Sequence, residues 1–214
     1  FSMGLGLTVR PAVVAGVEKT GEEGASWEGD FQPSLDVYQR VTSNVTAMAT
    51  FNTDFAETEV DPRLLNFGRF PLFFPENRDF FLEDQSAFKF GGLFQRNYGI
   101  RNGILPFFRR RIGRDEDGKA EPIRMAAKVT GRAGDWNLGL LDAWTEHDGD
   151  ERNLFVGRLS RALGESSSVG LIGTWGDPIE DHDAGTLGAD IRFRNSDILG
   201  GQILEGSAFA MATT

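Results

Sequence analysis

The sequence predicts an all-β fold, in which an antiparallel meander of roughly eight to ten strands forms part of a transmembrane β-barrel. Three observations predict this fold. Apolar and polar residues alternate with a period of two in several separate runs, as in strands with two unlike faces. Many of these runs reach the roughly 9–11 residues that a tilted strand needs to cross a bilayer. Clusters of glycine and small polar residues separate the runs, as in hairpin turns.

Composition is compatible with this fold and excludes other classes. The 214 residues fit one domain, and we expect residues 1–214 to be part of a single barrel domain. The mean hydropathy of −0.29 is that of a polar chain. The sequence contains no run of about 18 apolar residues, so it does not predict a transmembrane helix. Barrel strands alternate lipid-facing and lumen-facing residues, so their average hydropathy is low. The 27 glycines and 18 phenylalanines suit turns and strands.

Charge and chain ends narrow the possible partners. A net charge of −10 argues against nucleic acid, whose phosphates would be repelled. The absence of cysteine fits export to an oxidising compartment without a disulfide framework. The first residues do not have the pattern of a signal peptide, and residues 210–214 read as the middle of a strand. We therefore expect a fragment of a longer protein.

The clearest strand covers residues 186–194. Leu187, Ile191 and Phe193 share one face, and Asp190 and Arg192 share the other. Similar alternation occurs in residues 3–17, 44–51, 124–132 and 169–175. A charge that faces lipid near the membrane centre costs roughly 2–4 kcal/mol for Arg or Lys, so we expect the polar face to line a water-filled or plugged lumen. The charges predicted there are Arg10, Arg40, Arg124, Lys128, Asp190, Arg192 and Arg194.

The connectors predict two different rims. Residues 131–135, 163–166 and 195–197 have the composition of tight turns. Residues 146–151 and 177–183 are acidic and are expected at the opposite rim as longer loops, together with residues 18–30 and 115–121. Outer-membrane barrels have short periplasmic turns and longer outer loops, which places the acidic connectors on the outside.

Residues 54–100 interrupt the hairpins and predict an irregular insertion. Pro71 and Pro75 cannot lie in a central ladder, and the many phenylalanines between residues 67 and 90 require burial. We expect this segment to fold into the barrel mouth as a plug, with its charged groups near the lumen's arginines. The charged plug residues are Asp54, Glu57, Glu59, Asp61, Arg69, Glu76, Arg78 and Glu83.

Residues 52–83, 106–113 and 127–141 also carry a family resemblance. They resemble a family of outer-membrane β-barrels classed as domain of unknown function 5916. In full-length members that barrel follows an amino-terminal domain similar to family 9 carbohydrate-binding modules. The resemblance implies the outer membrane of a Gram-negative bacterium, lipid as a partner, and glycans as partners of a domain that is missing here. Some relatives are labelled hydrolases, but the resemblance supplies no catalytic residues.

Metal and catalytic sites have little support. Asp54, Glu57, Glu59 and Asp61 could bind Ca²⁺ through their oxygens, although pairing with lumenal arginines is the simpler interpretation. A zinc or other divalent ion could be held by side chains from the two acidic connectors. Those side chains are His147, Asp148, His182 and Asp183. We therefore expect no cofactor and no catalytic residues.

Three functions remain open on the sequence alone. The first is an outer-membrane channel, transporter or surface scaffold for polar solutes or glycans, which would use the charged lumen. The second is an outer-membrane hydrolase that acts on carbohydrate, which would need carboxylates in a cleft or a metal. The third is a soluble β-sandwich binding module, in which the charged face would be an ordinary solvated surface.

Overall fold

A computed structural model describes residues 6–19, 27–53, 79–91, 112–113, 121–147, 149–177, 184–198 and 200–214. These residues form one sheet of nine antiparallel strands, in which each strand pairs with its neighbours in sequence. The predicted all-β antiparallel meander is confirmed. Among the described residues β1 and β9 are the two edges of the sheet, which is not closed.

The strands and helices have the following bounds. The strands are β1 (Leu7–Lys19), β2 (Trp27–Thr42), β3 (Val45–Thr53), β4 (Ile123–Ala133), β5 (Trp136–His147), β6 (Asp150–Leu163), β7 (Ser167–Trp175), β8 (Gly185–Ile198) and β9 (Gln202–Thr213). Between β3 and β4 lie the short helix α1 (Asp79–Leu82) and a 3-10 helix (Gln85–Phe88). Among the described residues, no helix has the length and apolar content to cross a membrane.

Tight turns join the strands at one end of the sheet. Gly134 and Gly164 adopt φ angles of 58° and 68° in the turns after β4 and β6, a backbone conformation that glycine accepts without steric cost. The turn after β8 differs from the prediction. β8 continues through residues 195–197 to Ile198, past an irregularity in its pairing with β9, and the chain turns at Gly200 and Gly201. A pair of glycines reverses the chain more easily than residues 195–197.

The acidic connector at residues 146–151 is shorter than predicted. Glu146 pairs with Glu151, and His147 pairs with Asp150, so both strands continue through the expected loop. The chain therefore reverses between His147 and Asp150, where Gly149 has a φ angle of 90°. Asp-Gly is a favoured sequence for a two-residue hairpin turn. This connector is therefore a tight hairpin turn, and not a longer loop.

The two faces of the sheet differ in what contacts them. The face that we call the open face is exposed over its apolar rows, whose members include Val9, Val13, Phe31, Phe51, Phe155, Leu159, Leu171, Leu187, Ile191 and Phe193. The opposite, covered face includes Met48, Thr50, Ala126, Lys128, Leu141, Val156, Arg158 and Ile172, all of which are buried. Alternation along each strand places the two sets on opposite sides.

The core lies between the covered face and the chain that connects β3 to β4. Residues 79–91, which we call the covering segment, contribute four buried phenylalanines, and Ile112 adds a fifth buried side chain from the same connection. Sheet side chains such as Leu141 and Ile172 complete the cluster. The described residues contain no second sheet, and the core among them lies between the covered face and the covering segment.

Candidate functional site between the sheet and its covering segment

The covering segment is held first by its aromatic side chains. Phe80 and Phe81 are 3% and 1% exposed, and their rings meet edge to face with centroids 5.0 Å apart. Phe88 and Phe90 are buried further along the segment, whose 3-10 helix packs against β5 and β6. Phenylalanines bury large apolar areas, so these four side chains account for the position of the segment on the sheet.

Lys128 anchors the amino-terminal part of the segment. Its side chain is only 2% exposed, and its Nζ donates hydrogen bonds to the carbonyl oxygens of Phe80 and Glu83, the second over 2.7 Å. The ammonium also lies 5.0 Å from the centroid of the Phe80 ring. A helix of one turn leaves its carbonyl groups without helical partners. Lys128 supplies the missing donors, which offsets the burial of its own charge.

Asp84 joins the two short helices of the segment and is bound from β4. The Thr130 hydroxyl donates a 2.7 Å hydrogen bond to the Asp84 carboxylate. Asp84 adopts a φ angle of 56°, which is uncommon for a residue other than glycine. Aspartate tolerates this conformation better than most residues. Thr130 therefore holds the carboxylate at the point where the segment changes direction.

A buried ion pair anchors the other end of the segment. Arg158 Nη1 on β6 lies 2.7 Å from Asp190 Oδ1 on β8, and the two side chains are 5% and 13% exposed. The second carboxylate oxygen of Asp190 accepts a 3.1 Å hydrogen bond from the backbone N–H of Gly91. The guanidinium carbon of Arg158 lies 5.4 Å from the centroid of the Phe90 ring. Charge pairing and segment binding therefore involve the same carboxylate.

Glycines on the covered face make room for the segment. A Cβ atom added at Gly188 would lie 2.7 Å from Cζ of Phe90, and one added at Gly139 would lie 3.1 Å from Cε1 of Phe88. Real side chains do not approach so closely without displacing a neighbour. Sequence reasoning missed these positions, although a glycine inside a strand often marks a close approach of another part of the molecule.

Arg158 was also missed by sequence reasoning. Its neighbours on the opposite face of β6, Phe155 and Leu159, are apolar, but so are Leu154 and Val156 on its own face. With apolar residues on both sides, alternation does not distinguish the two faces of this strand. The only available signal was the presence of one arginine within an otherwise apolar run.

The structure brings together only some of the predicted lumenal charges. Lys128 and Asp190 contact the covering segment. Arg10, Arg40, Arg192 and Arg194 occupy covered-face positions outside the buried region, and their residues are exposed. Arg10 lies over the Tyr38 ring at 4.8 Å, and Arg192 pairs with Glu205 at 3.1 Å.

Arg124 is separated from these residues. The pairing of β4 with β5 shifts between Ile123 and Met125, so Arg124 leaves the alternation that the sequence predicts. Its exposed side chain forms an ion pair with Glu146 near the end of the hairpin. A bulge of this kind redirects a side chain, and it separates Arg124 from the covered-face charges.

Most of the predicted plug charges lie outside the described residues. Those outside are Asp54, Glu57, Glu59, Asp61, Arg69, Glu76 and Arg78. Glu83 is described, and its exposed residue contributes its backbone carbonyl to Lys128. At both ends of the segment, side chains of the sheet bind its backbone groups: Lys128 binds two carbonyl oxygens and Asp190 binds the N–H of Gly91.

The possible zinc ligands from the two acidic connectors also lie outside the described part of the chain. Asp148, His182 and Asp183, as well as the side chain of His147, lie outside the described part of the chain. Within the described part, no group of three or more histidine, cysteine, aspartate or glutamate side chains could hold a metal ion.

Comparisons with known proteins give one match. Searches of the curated proteins and of the solved structures returned none. The model of one family, described as Domain of unknown function (DUF5916), matches residues 5–152. The matched region includes β1 to β5 together with the covering segment and Lys128. The family resemblance predicted from the sequence is thereby confirmed, and because the match covers more than half of the chain, the protein belongs to the DUF5916 family.

Proposed function

We propose that this chain forms the wall of a β-barrel in the outer membrane of a Gram-negative bacterium and provides a plugged pathway for polar solutes. The observation that carries the proposal is the distribution of polarity between the two faces of the sheet. Apolar side chains are exposed on the open face, whereas Lys128 and Arg158 are buried on the covered face. A sheet that folds in water usually has the reverse arrangement.

The open face has the properties of a lipid-facing surface. Leu187 is 68% exposed and Leu171 is 54% exposed, and such rows recur on strands from one edge of the sheet to the other. Large exposed apolar patches mark surfaces that bind protein or membrane. The shortest strands, β3 and β7, have 9 residues, which is long enough for a tilted strand to cross the hydrocarbon layer.

Two exposed tryptophans support a membrane-embedded open face. Trp136 begins β5 at the end with the tight turns, and Trp175 ends β7 at the opposite end. Both are about half exposed. Tryptophan is enriched where the hydrocarbon layer meets water, so these residues suit the two borders of a membrane-embedded band. The edges of β1 and β9 must be paired in the membrane, because a bilayer does not tolerate open strand edges.

The covering segment acts as the plug in this proposal. It occupies the polar side of the wall and is bound at its two ends by Lys128 and Asp190. The exposed cations Arg10, Arg40 and Arg194 line the remainder of that side and provide a charged surface for a polar solute. Solute passage would then require the segment to loosen from one or both of its anchors.

Reconstitution of the full chain in phosphatidylcholine vesicles tests the proposal. The protein should resist extraction with sodium carbonate, and the vesicles should swell slowly in solutions of polar solutes. Asp190→Asn should accelerate swelling because it weakens the anchor at Gly91. Glu205→Gln, which neutralises a carboxylate of the exposed pair with Arg192, is the matched control. A detergent-free, monodisperse and soluble chain would contradict the proposal.

A further inference from the structure

A polar cavity lies between the covering segment and the turn end of the sheet. Its volume is about 820 Å³, within the range of roughly 300–1,000 Å³ that is usual for small-molecule sites. The segment contributes Asp84, Ser86 and Lys89, and the sheet contributes Arg132, Asn137 and Ser160. The cavity is therefore shared between the segment, the strands β4, β5 and β6, and the turn between β2 and β3, which contributes Asn44.

Several polar groups of the cavity are available to a ligand. Within the described part of the chain, the side chains of Ser86, Lys89, Asn137 and Ser160 have no hydrogen-bond or ion-pair partner. Arg132 donates from Nε to the carbonyl oxygen of Gly134 over 2.8 Å, which fixes its guanidinium in the cavity wall while its terminal nitrogens remain able to donate.

The charge of the cavity differs from that of the chain. Lys89 and Arg132 are its cations, and Asp84 is its one carboxylate among the described lining residues. The Asp84 carboxylate already accepts a hydrogen bond from Thr130. The protein as a whole has a net charge of −10, so this cavity is a local site of positive charge. Such a site attracts anions.

We propose that this cavity binds a small organic anion that carries both a carboxylate and several hydroxyl groups. The cations Lys89 and Arg132 recognise the carboxylate through charge-assisted hydrogen bonds. The hydroxyl and amide groups of Ser86, Asn137 and Ser160 can each exchange hydrogen bonds with ligand hydroxyls. A hydrophobic ligand would find no cluster of apolar side chains here, because Ala87 is the only apolar side chain among the described lining residues.

This inference rests on the proposed pathway and identifies the kind of solute that the pathway would admit. A ligand in the cavity contacts both the covering segment and the sheet, so binding requires the segment to be seated. By linkage, the ligand stabilises the seated segment. The cavity would then be a solute-loading site at the mouth of the pathway, where occupancy and plug position depend on each other.

Calorimetric titration of the full chain in detergent micelles tests the inference. The probe is lactobionate, a polyhydroxylated carboxylate, and its uncharged analogue is lactitol. We expect lactobionate to bind and lactitol to bind at least roughly tenfold more weakly, since it lacks the charged group. Arg132→Gln and Lys89→Gln should each weaken lactobionate binding roughly tenfold. Arg161→Gln removes the same charge from the opposite face of β6, outside the cavity, and should leave the affinity unchanged.

Several results would overturn the inference. They are no lactobionate binding, equal binding of lactitol, and equal losses from Arg132→Gln and Arg161→Gln. Sulfate that binds as tightly as lactobionate would show a general anion site without hydroxyl recognition, and would also overturn it. The proposed function is tested separately by membrane insertion. A chain that inserts into vesicles but does not bind lactobionate contradicts only the cavity assignment, whereas binding by a chain that does not insert contradicts the barrel.

Discussion

Leu187 and Asp190 lie three residues apart on β8, on opposite faces of the sheet. Leu187 is 68% exposed, whereas the Asp190 side chain is 13% exposed and carries an ion pair with Arg158. The same contrast appears on β7, where Leu171 is exposed beside the buried Ile172. In water, burial of charge and exposure of apolar surface both oppose folding. The difference fits the proposed function, in which lipid surrounds the open face and the covering segment shields the charges on the other.

Asp190→Ala should cause the largest loss of stability, because it leaves the Arg158 charge buried without a partner. We expect a loss of about 3–5 kcal/mol in the free energy of unfolding. Urea titration of the chain in phosphatidylcholine vesicles measures it. Arg192→Ala, which removes an exposed ion pair on the same strand, should cost at most about 1 kcal/mol. Equal losses would mean that the buried pair does not support the covered face.

Leu171→Arg places a charge at the middle of the open face. If that face contacts lipid, the substitution should cost about 2–4 kcal/mol in the same vesicle titration. Leu163→Arg makes the same change on the open face at the end of β6, where the bilayer is more polar, and should cost about 0–1 kcal/mol. A loss that does not depend on depth would contradict lipid contact.

Lys128→Met retains a long side chain but removes the donor to the carbonyl groups of Phe80 and Glu83. Because those carbonyls then lack a buried partner, we expect a loss of about 1–3 kcal/mol. Arg40→Met removes an exposed cation from the covered face and should change stability by no more than about 0.5 kcal/mol. Limited proteolysis should also cleave the covering segment faster in Lys128→Met than in the unchanged protein, and Arg40→Met should show no such increase.

Gly188→Ala should have the smallest effect of the series. The added methyl group would press against the Phe90 ring, and overpacking of this kind costs about 1–3 kcal/mol. Rotation of one ring can relieve part of the clash, so we expect the lower end of this range. Gly206→Ala on β9 meets no atom within 4 Å and should not destabilise the sheet. Identical stability of the two variants would mean that Phe90 is not seated against β8.

Local patterns in the sequence were sufficient for the strands and their faces. Alternation in residues 186–194 and 44–51 correctly assigned which side chains share a face, because side-chain direction in a strand depends only on position along it. Alternation could not show the bulge beside Arg124, since the extra residue does not interrupt the alternation of apolar and polar residues in 124–132. It also placed the turn after β8 too early, where Gly200 and Gly201 reverse the chain.

The contacts of the covering segment could not be predicted in the same way. Lys128 reaches carbonyl groups more than 40 positions earlier in the chain, and Asp190 reaches Gly91. These contacts depend on how a non-repeating segment lies on the folded sheet. Density of phenylalanine indicated that the segment is buried, but it did not indicate which sheet residues bind it.

The most direct test of lipid contact is a nitroxide scan along β8 in vesicles. The chain contains no cysteine, so single cysteines can be labelled without other changes. Labels at Leu187, Ala189 and Ile191 should collide mainly with oxygen, which concentrates in lipid, and labels at Arg192 and Arg194 mainly with a water-soluble nickel complex. This two-residue alternation is the predicted result. Strong collision of the Leu187 and Ile191 labels with the nickel complex would contradict a membrane-embedded open face.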